Sequence, residues 1–445
     1  MALPRVDLRA SADAATPVKA SSKAAQALRW LPLAAVVWPV WLLLTDWAKQ
    51  GLDFSVYWFG GSILNNAGGA ASDLYGASVA WAGGPQLPFT YPPFAALVFG
   101  GLARLPQPVA LMLFNLAGVA VAAWVAATIV KYWSSKSTWR AALATGLSRW
   151  IAVALFLAVL FLGPWRETLA FGQINILLMG LMAIDLLGGL SKRKSGSGFL
   201  VGIAAGIKLT PLVFGLYFLM RKDWRGLANM AIGFAGTVLL GWLLRPAESL
   251  QFWLEILPDT SRIGGAGYVD NLSIKGALLH FGVPQDSVTL PWLALSLATV
   301  VLAAFLIRAA SAQGARVNAM STTALAMLLI SPVSWSHHWV WMVVVLPAFA
   351  WTIKETPARY KAQRIGMCAV LAVSTLVFFY SPKTIGTALG AADLNVQTPG
   401  LWIMASSAGV FCAVMIMVCW LVALRRSAVP DDIPSRLRQR AMARR

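Results

Sequence analysis

Residues 198–220 read Gly198-Phe-Leu-Val-Gly-Ile-Ala-Ala-Gly-Ile-Lys208-Leu-Thr-Pro211-Leu-Val-Phe-Gly-Leu-Tyr-Phe-Leu-Met220. The stretch is apolar almost throughout, yet too short for two full membrane spans, which need about 20 residues each. Basic clusters bound it on both sides, Lys192/Arg193/Lys194 before it and Arg221/Lys222/Arg225 after it. Short loops rich in Lys and Arg stay in the cytoplasm, so both ends of the stretch belong on that side. A hairpin of two short helices, turning near Lys208–Pro211, reconciles length with charge. Irregular backbone at that depth is tolerated only against protein or a wet cavity, and an intramembrane cation such as Lys208 is a functional candidate by default. Its alternative is to snorkel to the surface.

The surrounding chain fits the same frame. Of 445 residues, 58% are apolar and 12% charged, with a mean hydropathy of +0.69; a soluble domain carries about 25% charged residues. Soluble and disordered classes are thereby excluded. Apolar segments recur from 28 to 424, as in an all-α, polytopic integral membrane protein. The net charge of +19 sits mostly in short loops and tails, which is an orientation signal rather than a nucleic-acid footprint. Residues 1–27 and 425–445 read as basic cytoplasmic tails flanking one membrane domain over 28–424, and Leu28–Trp47 reads as an anchor rather than a cleaved leader. Pairs of spans then fall at 150–163 with 174–190, 226–244 with 291–307, 318–330 with 339–353 and 365–380 with 401–424, and 91–130 holds one and a half spans broken at Arg104–Pro108. The expected total is 10 spans, or 12 with the hairpin counted twice, with no clear inverted repeat. Cys368, Cys412 and Cys419 lie in apolar spans without metal or redox spacing.

The remaining loops (48–90, 164–173, 245–290, 331–338 and 381–399) fall outside and hold most of the unusual polar residues. Asp53 opens an aromatic segment with Tyr57 one turn on. A loop aspartate is ordinarily solvated, but in a partly dry pocket it can act as a base. Tyr91 lies in Phe89-Thr-Tyr-Pro-Pro93, and Gln173 and Asn175 in Gly172-Gln-Ile-Asn175. Asn271 begins Asn-Leu-Ser273, and Trp335, His337 and His338 lie in Ser331-Pro-Val-Ser-Trp-Ser-His-His338. Arg166 is a cation in an external loop, against the charge rule, either ion-paired with Glu167 or clamping a phosphate. Adjacent histidines are poorly spaced for one metal ion on a helix and suit a phosphate or acceptor contact better. External tryptophans and tyrosines can stack on sugar rings. Nucleotide donors are absent outside the cell, so the constellation asks for a lipid-linked phosphate substrate.

In these ordered segments, from about Asp53 to Trp341, the chain resembles the polytopic GT-C glycosyltransferases, specifically glycosyltransferase family 87, which includes actinobacterial α-1,2-mannosyltransferases. The resemblance implies a polyprenyl-phosphate mannose donor and a phosphatidylinositol mannoside or lipomannan-type glycolipid acceptor. It also implies inverting transfer on the outer face of the plasma membrane, with Asp53 as catalytic base and no cofactor. Asp53 is followed by Phe54 and Ser55, so no Asp-x-Asp metal motif is present. Lys208, Arg166, His337 and His338 are then candidates for the donor phosphate, and Tyr57, Tyr91, Gln173, Asn175, Asn271 and Trp335 for acceptor sugars. Membrane lipids are expected partners, nucleic acid is not, and the sequence leaves oligomeric state open. Arabinofuranosyl transfer from polyprenyl-phosphate arabinose and a lipid or glycolipid transporter are the alternatives. A transporter would carry repeat symmetry and facing ionisable residues near the midplane.

Overall fold

The computed structural model describes Val37, Trp41 and residues 51–65, 73–80, 86–134, 147–188, 197–259, 262, 264–391 and 400–427. The expected N-terminal tail, most of the expected anchor and residues 428–445 lie outside the described residues. What is described is helical apart from a small antiparallel hairpin, Ser78–Ala80 with Gln86–Pro88, in which Val79 faces Leu87.

Four helices are long and apolar enough to cross a bilayer: Gln107–Lys131, Trp224–Leu244, Thr289–Ala312 and Ala358–Tyr380. At about 1.5 Å per residue, 20 residues match the hydrocarbon thickness of about 30 Å. A bent pair, Trp150–Phe161 and Gly163–Phe171, is long and apolar enough for a fifth when taken together, its halves meeting at 63°. Gly163 and Pro164 explain the bend. A Cβ at Gly163 would lie 2.7 Å from the Phe378 carbonyl oxygen, and Pro164 starts a new helix because it lacks the N–H that would continue the old one. Pro93–Leu102, Asn175–Leu187, Thr210–Met220, Arg316–Ile330 and Ala408–Leu424 are apolar but shorter. Some of these short helices are sheltered by protein rather than lipid. Arg316–Ile330, for instance, is buried continuously from Ala319 to Leu329. The full-length spans instead turn Ile232, Leu243, Leu290, Leu297 and Val301 outward, as lipid tails require.

The hairpin expected at 198–220 is present, as helix Phe199–Ile207, a break at Lys208–Leu209, a 3-10 turn Thr210–Phe214 and helix Gly215–Met220. Its first arm runs parallel to the Trp224–Leu244 span. Gly198 abuts the Gly226 carbonyl, Gly202 abuts Met230 and Gly233, and Gly206 abuts Thr237. The second arm comes back down, since Phe218 packs on Gly226 and Asp223 N–H donates to the Phe218 carbonyl at 2.9 Å. Glycines every four residues let two membrane helices meet backbone to backbone. The Asp185 carboxylate caps the first arm, accepting from Gly198 N at 2.9 and 3.0 Å and Val201 N at 3.1 Å, and satisfies donors that lipid could not. Nine residues of helix rise about 14 Å, which sets Lys208 that far from the Gly198 end of the arm.

Candidate active site

Asp53 lies in the first turn of helix Leu52–Asn65. Two left-handed glycines fix that helix against the bent pair. Gly51 (φ 54) donates its N–H to the Ala170 carbonyl at 2.9 Å. Gly172 (φ 63) ends helix Gly163–Phe171 where a Cβ would lie 2.6 Å from Phe54 Cβ. Gln173 is thereby brought to Asp53, which it hydrogen-bonds. Its Oε1 accepts from the Tyr57 hydroxyl and from Ile174 N at 3.0 Å. Tyr57 stacks on Phe99 with centroids 4.5 Å apart, and its hydroxyl is 2.9 Å from that of Tyr91. Burial among these rings pushes the Asp53 carboxyl up to about 6, while Lys208, Gln173 and Lys383 oppose the rise. A carboxylate of that strength is a suitable general base near neutral pH.

Lys208 is the hub. Its Nζ donates to Asn175 Oδ1 at 3.0 Å, lies 3.3 Å from His338 Nε2 and sits 5.6 Å from the Tyr91 ring centroid. An ammonium offers only protons, so His338 Nε2 faces it with a lone pair and the ring proton sits on Nδ1. Burial, Lys208 and His337 together hold His338 well below the usual histidine range, so the ring is neutral. Burial and both lysines, Lys208 and Lys383, do the same to His337. The His337 carbonyl is clamped by Thr168 Oγ1 at 2.8 Å and Asn175 Nδ2 at 3.2 Å. Neither of its ring nitrogens has a hydrogen-bond partner among the described residues. From the Lys208–Asn175–His338 end a small cavity of about 30 Å³ opens between Met179, Met182, Met327 and Trp341, with Thr210, Ser331 and Ser334 also on its lining.

Eight of the residues expected from sequence are thus gathered: Asp53, Tyr57, Tyr91, Gln173, Asn175, Lys208, His337 and His338. Arg166 is placed elsewhere. Its guanidinium donates to the Phe161 and Tyr380 carbonyls, each at 3.4 Å, across the bend of that pair. Consecutive helical residues point about 100° apart, so Glu167 faces the site while Arg166 does not, and the Glu167 carboxylate accepts from Ser336 Oγ. Asn271 is used up structurally. It donates to the carbonyls of Ala266 (2.7 Å) and Pro332 (3.1 Å) and accepts from the N–H groups of Ser273 (3.2 Å) and Ser334 (2.9 Å). It holds the histidine loop instead of facing a ligand. Trp335 pairs with Asn271 through the backbone and meets Tyr268 edge to face at 5.7 Å.

Two charged residues that sequence reasoning passed over join the cluster. Lys383 Nζ lies 3.8 Å from Asp270 Oδ2, and Asp270 Oδ1 accepts from Ser336 N at 3.3 Å. Burial pushes the Asp270 carboxyl up to about 7, with Lys383 opposing and Glu167 adding to the rise. Lys383 did carry a signal, since it is a cation in an external loop, the same anomaly that singled out Arg166. Asp270 carried none beyond its place beside Asn271. No group of three metal-ligating side chains gathers among the described residues.

Comparison with known proteins places the chain among membrane glycosyltransferases. The model of glycosyltransferase family 87 matches residues 89–332, more than half of the chain, and the chain belongs to that family. The match covers Tyr91, Asn175 and Lys208, while Asp53 and the two histidines lie beyond its edges. One similar protein is the polyprenol-phosphate-mannose-dependent alpha-(1-2)-phosphatidylinositol mannoside mannosyltransferase of Mycolicibacterium smegmatis, 33% identical over 80% of each chain. A protein of the same description from Mycobacterium tuberculosis is 35% identical over 62% of this chain and 66% of its own. A polyprenol-phosphate-mannose-dependent alpha-(1-2)-phosphatidylinositol pentamannoside mannosyltransferase of M. smegmatis is 32% identical over 73% of this chain and 75% of its own. No solved structure matches. Family membership sets the transporter reading aside.

Proposed function

We propose that this glycosyltransferase is an inverting α-1,2-mannosyltransferase that moves mannose from polyprenyl-phosphate mannose to a phosphatidylinositol mannoside or lipomannan-type glycolipid, on the outer face of the plasma membrane. The observation that carries the reading is the position of Lys208. Its ammonium acts on the base Asp53 and is held by Asn175 and His338 at the polar end of a cavity whose other walls are largely apolar. A lipid phosphate has that shape, with an anion at one end and hydrocarbon at the other. Methionines on the wall adapt to an isoprenoid chain.

In the reaction, the acceptor's mannose 2-hydroxyl oxygen attacks the anomeric carbon of the donor mannose. Asp53 takes the hydroxyl proton, the bond from the anomeric carbon to the phosphate oxygen breaks, and its electron pair leaves with polyprenyl phosphate. One displacement turns a β-linked donor into an α-linked product. Phosphate needs no general acid, unlike the leaving groups of glycosidases, which use a pair of carboxylates. Lys208 stabilises the charge that grows on the departing phosphate, and neutral His338 supplies a further hydrogen bond. Arg166 has no part in this step.

The test is transfer of labelled sugar by purified protein from polyprenyl-phosphate mannose, and separately from polyprenyl-phosphate arabinose, to a phosphatidylinositol mannoside extract. A new, larger glycolipid labelled from the mannose donor, carrying an α-1,2 linkage, is expected. Label from the arabinose donor alone would replace the sugar.

A further inference from the structure

Beside the Lys208 cluster lies a second polar group that the step above does not use. Lys383 is 28% exposed and Asp270 4%, so a partly exposed cation stands beside a buried carboxylate. Their separation of 3.8 Å exceeds a direct N–H···O bond of about 2.7–3.2 Å. The Asp270 oxygens keep lone pairs to spare after the hydrogen bonding from Ser336. The Lys383 ammonium also lies 5.2 Å from the Phe171 ring centroid and 6.0 Å from that of Tyr268. His337 meets the same Phe171 edge-on at 5.4 Å. The His337 side chain is only 6% exposed, and both its nitrogens are unpartnered among the described residues. Buried polar atoms are nearly always paired, so this ring waits for a ligand that can give or take a hydrogen bond. Tyr268 and Trp335 stand perpendicular and half-buried alongside.

We propose that Asp270, Lys383 and His337, walled by Tyr268 and Trp335, form the subsite that holds the sugar hydroxyls of the acceptor against Asp53. The inference rests on the glycolipid-acceptor reading above. Charge selects the occupant. Two carboxylates, Asp270 and Glu167, share Ser336 here and repel an anion, so the donor phosphate belongs with Lys208. A neutral polyol suits the group. A carboxylate and an ammonium bracket adjacent hydroxyls, a neutral imidazole bonds a third, and the rings cover the apolar face of a pyranose. Proximity to the Lys208 cluster follows from His337, whose ring meets that of His338 at 4.7 Å, with His338 Nε2 in turn 3.3 Å from Lys208 Nζ.

The test is binding of the deacylated headgroup, a glycerophosphoinositol mannoside, to the full-length protein in nanodiscs. Mannose-free glycerophosphoinositol and polyprenyl phosphate are measured in parallel. Asp270→Asn and Lys383→Met are expected to weaken headgroup binding at least tenfold. Asp270→Asn should leave polyprenyl phosphate binding within twofold of wild type. Headgroup binding within twofold of wild type in both variants would overturn the subsite, as would equal losses of both ligands in Asp270→Asn, or wild type binding the mannosylated headgroup no better than the mannose-free one. Lys383, partly exposed, carries the test if Asp270→Asn does not fold. Wild type that binds the headgroup but transfers nothing from polyprenyl-phosphate mannose would remove the donor assignment and leave the subsite standing.

Discussion

Asp53 earns its candidacy from its surroundings rather than from its own chemistry. The same carboxylate in water would be too weak a base to matter; among Tyr57, Tyr91 and Phe99 it titrates near 6. A base must be deprotonated to act, so transfer should fall as the pH drops through about 6 and level off above it. The pH dependence of kcat/KM at subsaturating acceptor measures this. Asp53→Asn keeps the shape and the Gln173 contact but cannot take a proton. It should lose about 10²- to 10⁴-fold in turnover, the usual contribution of a general base, and the acid limb should go with it. A variant retaining a third of wild-type turnover would remove Asp53 from the role. Residue types in loops were legible where they broke a rule: Lys208 in an apolar run, two adjacent histidines, a carboxylate among aromatics. Direction was not legible. Arg166 and Glu167 are neighbours in sequence, and only the helical rotation between them says which faces the site. Asn271 looked like a sugar contact, but its four hydrogen bonds tie its own loop to the histidine loop.

The element that matters most is the hairpin, and its existence could be read from charge and length alone. Its mode of attachment was equally present in the sequence, as glycines at 198, 202 and 206, but a one-in-four spacing acquires meaning only once the partner span is known. A Cβ at Gly202 would lie 2.2 Å from the Met230 carbonyl oxygen and 2.7 Å from Phe234 N, both backbone atoms that cannot step aside. Gly202→Leu should therefore part the two helices, costing at least the ~1–3 kcal/mol of ordinary overpacking, and pull Lys208 from its partners. Thermal unfolding in nanodiscs should show a lowered midpoint together with lost turnover. Gly236→Leu on the same span meets nothing within 4 Å and should change neither. The span lengths were less legible than the hairpin. Hydropathy marks an apolar segment but does not say whether lipid or protein surrounds it, so Arg316–Ile330 reads as a span although neighbouring helices bury its middle.

At the scale of the molecule, the basic loops predict which end of each helix faces the cytoplasm, and the side expected for the site follows from that prediction. Ser287 and Gln313 are both exposed and stand at opposite ends of helix Thr289–Ala312. In a chain whose three cysteines are replaced, Ser287→Cys should react with a membrane-impermeant maleimide on intact cells. Gln313→Cys should react only after permeabilisation. The reverse pattern would invert the protein and put the sugar chemistry inside.

The glycine seam also dictates an order of assembly. Residues 198–220 leave the ribosome before the Trp224–Leu244 span against which they close. A half-length helix left alone in hydrocarbon has backbone carbonyls at its inner end, around Lys208, with neither water nor protein to bind them. The hairpin is therefore expected to settle only once its partner span is present, with Asp185 of the preceding helix there to receive Gly198. The lysine at its tip is thereby set about 14 Å from the Gly198 end of the arm, alongside a span that runs in the same direction.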